Sequence, residues 1–447
     1  MEKAKEKIVL IGAGSAMFTR GLVADLIRLG METELALVDI NPDALNAAER
    51  LVAKMIKARR AKVKLSATTD RRKALRGATV VITTIAVGGR RAWEQDVFVP
   101  RKFDIYMPVG DSVGPSGTSR ALRMVPAMVA IARDVVELAP QADFFNYSNP
   151  MAVVCQAVRK ATGANVVGLC HGVWHVAHYL ASFLGVDFSR FGFTAVGMNH
   201  LTWFTEMRVD GRDAMDLARA QLKQQKAEGE ARKGRPWHAD HPFTWELFEL
   251  FGAYPAVFDA HVVEFFPGLF PGGIYRGKKL GVEGMVFENI IRYGDKIFDE
   301  MRSIALDRGP LPRNFFSKQS GEHEQVMEII RAMRADSGAV YSVNLPNAGR
   351  LGAFEQDVVI EGPAAATGAG LRPLAVPQIS AGVAGTLATR MAWVELAAQA
   401  GIEASRQKFI QALLIDGYTR SIEEATRLAA ALLKAQAEHL REFGWKV

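Results

Sequence analysis

Two residues with metal-ligand character, Cys170 and His200, stand 30 residues apart, each beside polar residues: Cys170-His171-Gly172-Val173 and Asn199-His200. Asn149-Pro150-Met151 precedes them, and Gly12-Ala13-Gly14-Ser15 lies far upstream. Two protein ligands with positions left open for substrate oxygens suit a loosely held catalytic cation such as manganese, while a thiolate also favours softer metals. Taken alone, a cysteine is most often a small hydrophobe and a histidine an ordinary hydrogen-bonding residue. A nucleotide-binding loop in the same chain turns the pair toward redox chemistry assisted by a divalent cation.

The loop has a clear physical logic. Gly12 and Gly14 permit a tight strand-to-helix turn and the close approach of a pyrophosphate, which the backbone N–H groups around Ser15 and the helix N-terminus would cradle. The third fingerprint position is Met17 rather than Gly or Ala. Asp39, at the end of the second apolar run, suits hydrogen bonds to the ribose hydroxyls of NAD and repels the extra phosphate of NADP.

The elements that must position these residues follow from apolar periodicity. Strands are predicted at 7–12, 35–40 and 79–84, with a helix at about 17–29 and Asn41 capping the next. Further strands are predicted at 143–147 and 165–169. Strands alternating with helices imply a parallel sheet with right-handed crossovers, and ligands sit beyond the carboxyl ends of such strands. Asn149 and Cys170 fall there. Past residue 190 the character changes: 193–197 and 202–209 look like antiparallel strands flanking the Asn199-His200 turn. The segment 221–235 is charged and reads as exposed, and long helices dominate the C-terminal part, interrupted at 341–347 and 357–361. The fold class is therefore α/β: a Rossmann-type doubly wound sheet over residues 1–190, then a mixed α+β domain over 191–447 serving substrate, metal and oligomerisation, with a lactate-dehydrogenase-like overall architecture.

A chain of 447 residues exceeds what one core serves. Two cysteines and a charged N-terminus without a signal-peptide apolar region suggest a reducing cytoplasm, and no apolar run reaches the roughly 18 residues of a membrane span. The net charge of +7 is spread over scattered basic residues rather than a stripe interleaved with aromatics, which argues against a nucleic-acid partner.

The chain resembles glycoside hydrolase family 4, the NAD-dependent glycosidases that do not use a paired-carboxylate displacement. The resemblance rests on the motifs above together with Val87-Gly88-Gly89-Arg90, Gly110-Asp111-Ser112-Val113-Gly114-Pro115-Ser116-Gly117, Ala121-Leu122-Arg123, Gly197-Met198-Asn199-His200 and Asn344-Leu345-Pro346-Asn347. It implies NAD and a divalent metal, Mn2+ above all, as cofactors, a small-molecule glycoside as partner, and a homodimer or homotetramer. The implied reaction moves hydride from C3 of the sugar to NAD+. The C2 proton is then removed as the glycosidic oxygen leaves, water adds to the enone, and the hydride returns.

In this resemblance Cys170 and His200 hold the metal, Asn149 binds sugar hydroxyls and Asp111 is a candidate acid. Asp259 is favoured over Tyr254 as the base, with His261 and Glu264 as cleft-wall or hydrogen-bonding residues. His171 stands where phospho-sugar enzymes carry Asp or Asn, so an unphosphorylated α-glycoside is expected. An α-uronide is favoured over a neutral α-glucoside or α-galactoside, with Arg90, Arg91 and Arg276 available to pair with its carboxylate. A malate or lactate dehydrogenase-like oxidoreductase is the rival, but such enzymes need no Cys/His metal pair.

Overall fold

The computed structural model describes residues 6–231, 241–316 and 325–447. The strands of the first half are β1 (Glu6–Ile11), β2 (Thr33–Val38), β3 (Val63–Thr68), β4 (Val80–Thr83), β5 (Asp143–Asn146) and β6 (Val166–Gly168). They run parallel in the order β3-β2-β1-β4-β5-β6, the arrangement of a dinucleotide-binding sheet. The central strands are apolar on both faces because helices cover both, whereas the edge strand β3 carries Lys64 and Ser66 and has no buried residue. β1, β2 and β4 are almost wholly buried, Val9, Leu37 and Val81 completely so.

The second half continues the same sheet. Its strands are β7 (Phe191–Met198), β8 (Leu201–Val209), β9 (Arg212–Asp213), β10 (Tyr254–Pro255), β11 (Ile274–Tyr275), β12 (Lys278–Lys279), β13 (Val340–Pro346), β14 (Val359–Thr367) and β15 (Gly370–Pro373). β13 pairs antiparallel with β6, and the sheet extends through β14, β7, β8 and β10, while β11 and β12 form a separate ribbon. The predicted strands at 193–197 and 202–209 are the hairpin β7–β8, in which β7 starts two residues earlier and each strand runs one residue nearer the tip, and the interruptions at 341–347 and 357–361 are β13 and the start of β14. The segment 221–235, expected to be exposed, lies partly in the helix Met215–Ala231, where Leu222 is buried; its residues 232–235 fall outside the described residues.

The two halves also share a core. The helix Ala381–Glu403 packs on Gly114–Leu138 and on Met151–Thr162, and Phe287–Leu306 packs on Pro42–Arg59. One cluster of buried side chains accordingly joins Val9 and Val81 to Val394 and Leu428. Between the helices Gly89–Arg101 and Gly114–Leu138, Asp96 and Arg123 form a fully buried ion pair, with Nη2–Oδ2 at 2.5 Å and Nη1–Oδ1 at 2.9 Å. Asp96 also accepts from the Ser119 hydroxyl and the Gln436 amide, and the Arg123 Nε donates to the Val87 carbonyl, so both charges are saturated.

Candidate active site

The glycine-rich loop leaves β1 and reaches the helix Thr19–Arg28. Gly12 has φ +92°, and a Cβ there would lie 2.8 Å from the Thr84 carbonyl carbon, so no other residue fits the turn. Met17 is tolerated because it points outward at 38% exposure; Ala13 and Ala16 make the close packing that the third glycine of the fingerprint usually provides. Asp39 sits just past β2. Its Oδ2 accepts the Gly14 N–H at 2.8 Å and its Oδ1 the Asn41 N–H at 2.9 Å. Asn41 in turn caps the helix Pro42–Arg59, as its sequence position suggests. Gly12, Gly14, Ser15 and Asp39 thus form one concave edge suited to a dinucleotide.

Across the strand ends, three segments converge. Cys170 follows β6 at the start of the helix Gly172–Phe183, and the Gly172 N–H points at its sulfur at 3.4 Å, a terminus that favours an anionic ligand. His200 occupies the two-residue tip of the β7–β8 hairpin at φ +66°. Asp111 lies in the loop before the helix Gly114–Leu138. Cys170 Sγ and His200 Nε2 are 3.5 Å apart, so the sheet brings together the two residues singled out from sequence. Asp111, His200 and His261 each present a ligand atom within 4.8 Å of the others, and the His200 and His261 rings are 4.4 Å apart. Asn149 joins through Nδ2, which donates to Asp111 Oδ2 at 2.9 Å.

Electrostatics supports a cation here. Burial, reinforced by His261, pushes the His200 imidazole down to about 3, so the ring is neutral, as a ligand must be. Burial opposes the charge of Asp111, yet the carboxyl stays below its ordinary range, held there by whatever positive charge His200 and His261 carry, by Arg120 and by the Ser112 hydroxyl. The hydrogen bonds also set the tautomer. Ser112 Oγ is 2.7 Å from Asp111 Oδ1, which as a carboxylate can only accept, and 2.7 Å from His200 Nδ1. The hydroxyl proton therefore goes to Asp111, His200 Nδ1–H donates to Ser112, and the Nε2 lone pair faces Cys170. His261 Nδ1 is buried with no protein partner among the described residues. A thiol sulfur, an imidazole lone pair and a carboxylate, with an unpaired ring nitrogen beside them, fit a divalent cation.

The surroundings of the other candidate residues differ from one another. Asp259 is 1% exposed, and its carboxylate accepts the Phe243 N–H (3.0 Å), the Thr244 N–H (2.9 Å), the Thr244 hydroxyl (2.6 Å) and the Tyr275 hydroxyl (2.5 Å). It anchors the start of the helix Pro242–Phe251 and has no lone pair to spare for substrate. Tyr254 is completely buried against Trp245, Phe248 and Tyr179, and burial, aided by Tyr179, holds its hydroxyl well above the usual tyrosine range. Asp111, the candidate acid, has its carboxyl held below the ordinary range and accepts from Ser112 and Asn149, which also suits a ligand.

The arginines differ too. Arg90 pairs with Asp295 at 2.6 Å and lies over the Phe298 ring, Arg91 pairs with Asp295 and Glu94, and Arg276 pairs with Glu246. The cation that does reach the site is Arg120, which sequence reasoning passed over. It is 9% exposed, lies over the Trp93 ring, and donates Nε to the Asn149 carbonyl at 3.1 Å. Its place three residues before Arg123 on one helix was the available signal. His171, next to Cys170, keeps an exposed side chain, and the desolvation imposed by the residues around it, with His175 and His261 nearby, lowers its basicity. Glu264 is a hydrogen-bonding wall residue, its Oε1 accepting the Val109 and Gly110 N–H groups and so holding the Asp111 loop.

Comparison with known proteins agrees with this geometry. The family 4 glycosyl hydrolase model matches residues 7–186, and the model for the C-terminal domain of the same family matches 195–419. The chain is 30% identical to an α-glucosidase of Erwinia rhapontici over 96% of its own length and 98% of the relative's. It is also 30% identical to an α-galacturonidase of Bacillus subtilis, over 92% of each. A 6-phospho-α-glucosidase from gut microorganisms, solved in complex with NAD and Mn2+, superimposes with a TM-score of 0.83 at 20% identity, covering 97% of this chain and 99% of that one. With both halves matched in order and the cluster in place, the chain belongs to family 4 of the glycosyl hydrolases and is a glycosidase.

Proposed function

We propose that this chain is an NAD- and divalent-metal-dependent hydrolase of an unphosphorylated α-glycoside, with an α-uronide as its preferred class. The observation that carries the reading is the convergence of Cys170, His200 and Asp111 beyond the ends of strands whose glycine-rich loop suits a dinucleotide. When bound, NAD+ supplies a reversible hydride acceptor, and a cation such as Mn2+ supplies Lewis acidity toward the sugar oxygens. The chain's own residues do the rest. Cys170, His200 and Asp111 would hold the cation, with Ser112 fixing the imidazole. Asn149 and Arg120 orient sugar oxygens. His261, whose basicity burial lowers and whose Nδ1 has no partner among the described residues, takes the C2 proton in this reading, in preference to Asp259, whose oxygens are held by four donors, and to the buried Tyr254.

Two features support the substrate class. His171 replaces the acidic or amide residue of phospho-sugar enzymes, and Arg90, Arg91 and Arg276 are all engaged in ion pairs, so none is free for a phosphate dianion. Arg120 is the donor available to a carboxylate. A homodimer or homotetramer in a reducing cytoplasm completes the proposal, in keeping with a thiolate ligand that oxidation would destroy.

The test is a panel of p-nitrophenyl α-glycosides, α-uronides and their 6-phosphates with NAD+, Mn2+ and a reducing thiol. Hydrolysis that stops with EDTA and returns with Mn2+ is expected, as is a higher kcat/KM for the uronide. Full activity in dialysed enzyme with EDTA would overturn the mechanism; a preference for the neutral glycoside, or for the phosphate, would overturn only the substrate class.

A further inference from the structure

Beneath the His200 turn lies a buried carboxyl that the chemistry does not use. Glu361 is 2% exposed in β14, paired in register with Gly197 of β7 on one side and Asn344 of β13 on the other. Its Oε2 accepts the Thr202 hydroxyl at 2.6 Å and the Asn199 side-chain amide at 3.4 Å. Asn199 directly precedes His200, and Thr202, two residues after it, is the second residue of the returning strand. All three partners are buried: Asn199 is 3% exposed, Thr202 and Asn344 0%.

The hairpin tip needs such a tether. His200 holds φ +66°, a left-handed conformation that leaves a non-glycine residue with some strain at the two-residue tip. From that tip its ring must reach both Cys170, on the far side of β13 and β14 in the sheet, and Ser112, on a separate loop. Three buried acceptors here, Asn199 Oδ1, Asn344 Oδ1 and Glu361 Oε1, find no donor among the described residues. A proton on Glu361 would supply one, and burial pushes this carboxyl up to about 7, so that proton is present in much of the population near neutrality.

We infer that Glu361 is a positioning residue: it pins both sides of the β7–β8 turn to β14 and so sets the aim of the His200 imidazole at the cation site. The inference rests on the proposed metal reading and adds to it a group that touches neither metal nor substrate.

The test measures Mn2+ affinity by electron paramagnetic resonance of free Mn2+ in NAD+-loaded protein, with NAD+ affinity followed in parallel. Outer-shell partners of this kind are worth about 10- to 100-fold in metal affinity. Glu361→Ala should weaken Mn2+ binding by that order and lower kcat, leaving NAD+ affinity within about twofold. Glu361→Gln, which keeps the shape, an acceptor and a donor, should restore most of the loss. Thr202→Val, nearly isosteric, should weaken Mn2+ in the same direction and carries the test if Glu361→Ala does not fold. Wild-type Mn2+ affinity in folded Glu361→Ala or in Thr202→Val, or an equal loss of Mn2+ and NAD+ affinity, overturns the inference. If instead Cys170→Ser binds Mn2+ as tightly as the wild type, the metal reading itself falls, and the role of Glu361 with it.

Discussion

Asp259→Asn separates a structural carboxylate from a catalytic one. In the native protein both oxygens are committed to four donors at 2.5–3.0 Å in a site 1% exposed. The amide can keep its oxygen toward the Thr244 N–H and hydroxyl, but its NH2 group then faces the Phe243 N–H, which is left without an acceptor. The Tyr275 hydroxyl can turn to accept from the new amide and is not lost. One orphaned buried N–H costs about 1–3 kcal/mol, and two bonds falling from charged to neutral strength cost about 1 kcal/mol each. Relief from burying a charge returns part of this. The net loss of stability is about 2–4 kcal/mol. Urea unfolding followed by tryptophan fluorescence should show the midpoint falling accordingly, while kcat with saturating NAD+ and Mn2+ at low temperature stays within about threefold of wild type. His261→Asn should show the reverse, a normal midpoint with a loss of about 100-fold or more in kcat, the range for a positioned acid or base. An unchanged midpoint for Asp259→Asn with a thousandfold fall in kcat would refute the structural assignment and return the base to Asp259.

Other outcomes follow from the same contacts. Iodoacetamide should label one thiol in the native protein, Cys170, and both after denaturation, because burial pushes the Cys155 thiol up to about 12 and it is wholly inaccessible; mass spectrometry of the peptides checks this, and added Mn2+ should slow the Cys170 reaction. Asp96→Ala leaves the Arg123 guanidinium charged and unpaired in the core, a loss of about 3–5 kcal/mol read as a lower unfolding midpoint. Arg91→Ala and Arg276→Ala, each removing half-exposed ion pairs worth about 0–1 kcal/mol, should leave KM for any glycoside within about twofold. Arg120→Lys, which removes the planar fork beside Asn149, should raise KM on the order of tenfold, and a normal KM would exclude it from the sugar site.

What sequence alone determined is local. The apolar runs ending at Gly12, Val38 and Thr83 define parallel strands because burial on both faces leaves no alternation to read, and Asn41 before Pro42 marks a helix start by hydrogen-bonding chemistry within four residues. Residue type and position at strand ends were enough to single out Gly12, Asp39, Asn149, Cys170 and His200. Tertiary structure decided everything that depends on distance in space. Cys170 and His200 meet only because β13 and β14, about 150 residues further on, slot between β6 and β7. Whether an arginine is free or paired depends on partners as remote as Asp295 for Arg90, and the same chemistry that made Arg90 and Arg276 suitable for a substrate carboxylate made them suitable for Asp295 and Glu246. Asp259 and His261 are two residues apart, yet one helical turn aims the first at the amides of a neighbouring helix and the second into the His200 cluster. A side chain's role is set by which donors surround it after folding, and that surrounding is a property of the packed sheet and helices rather than of the local sequence.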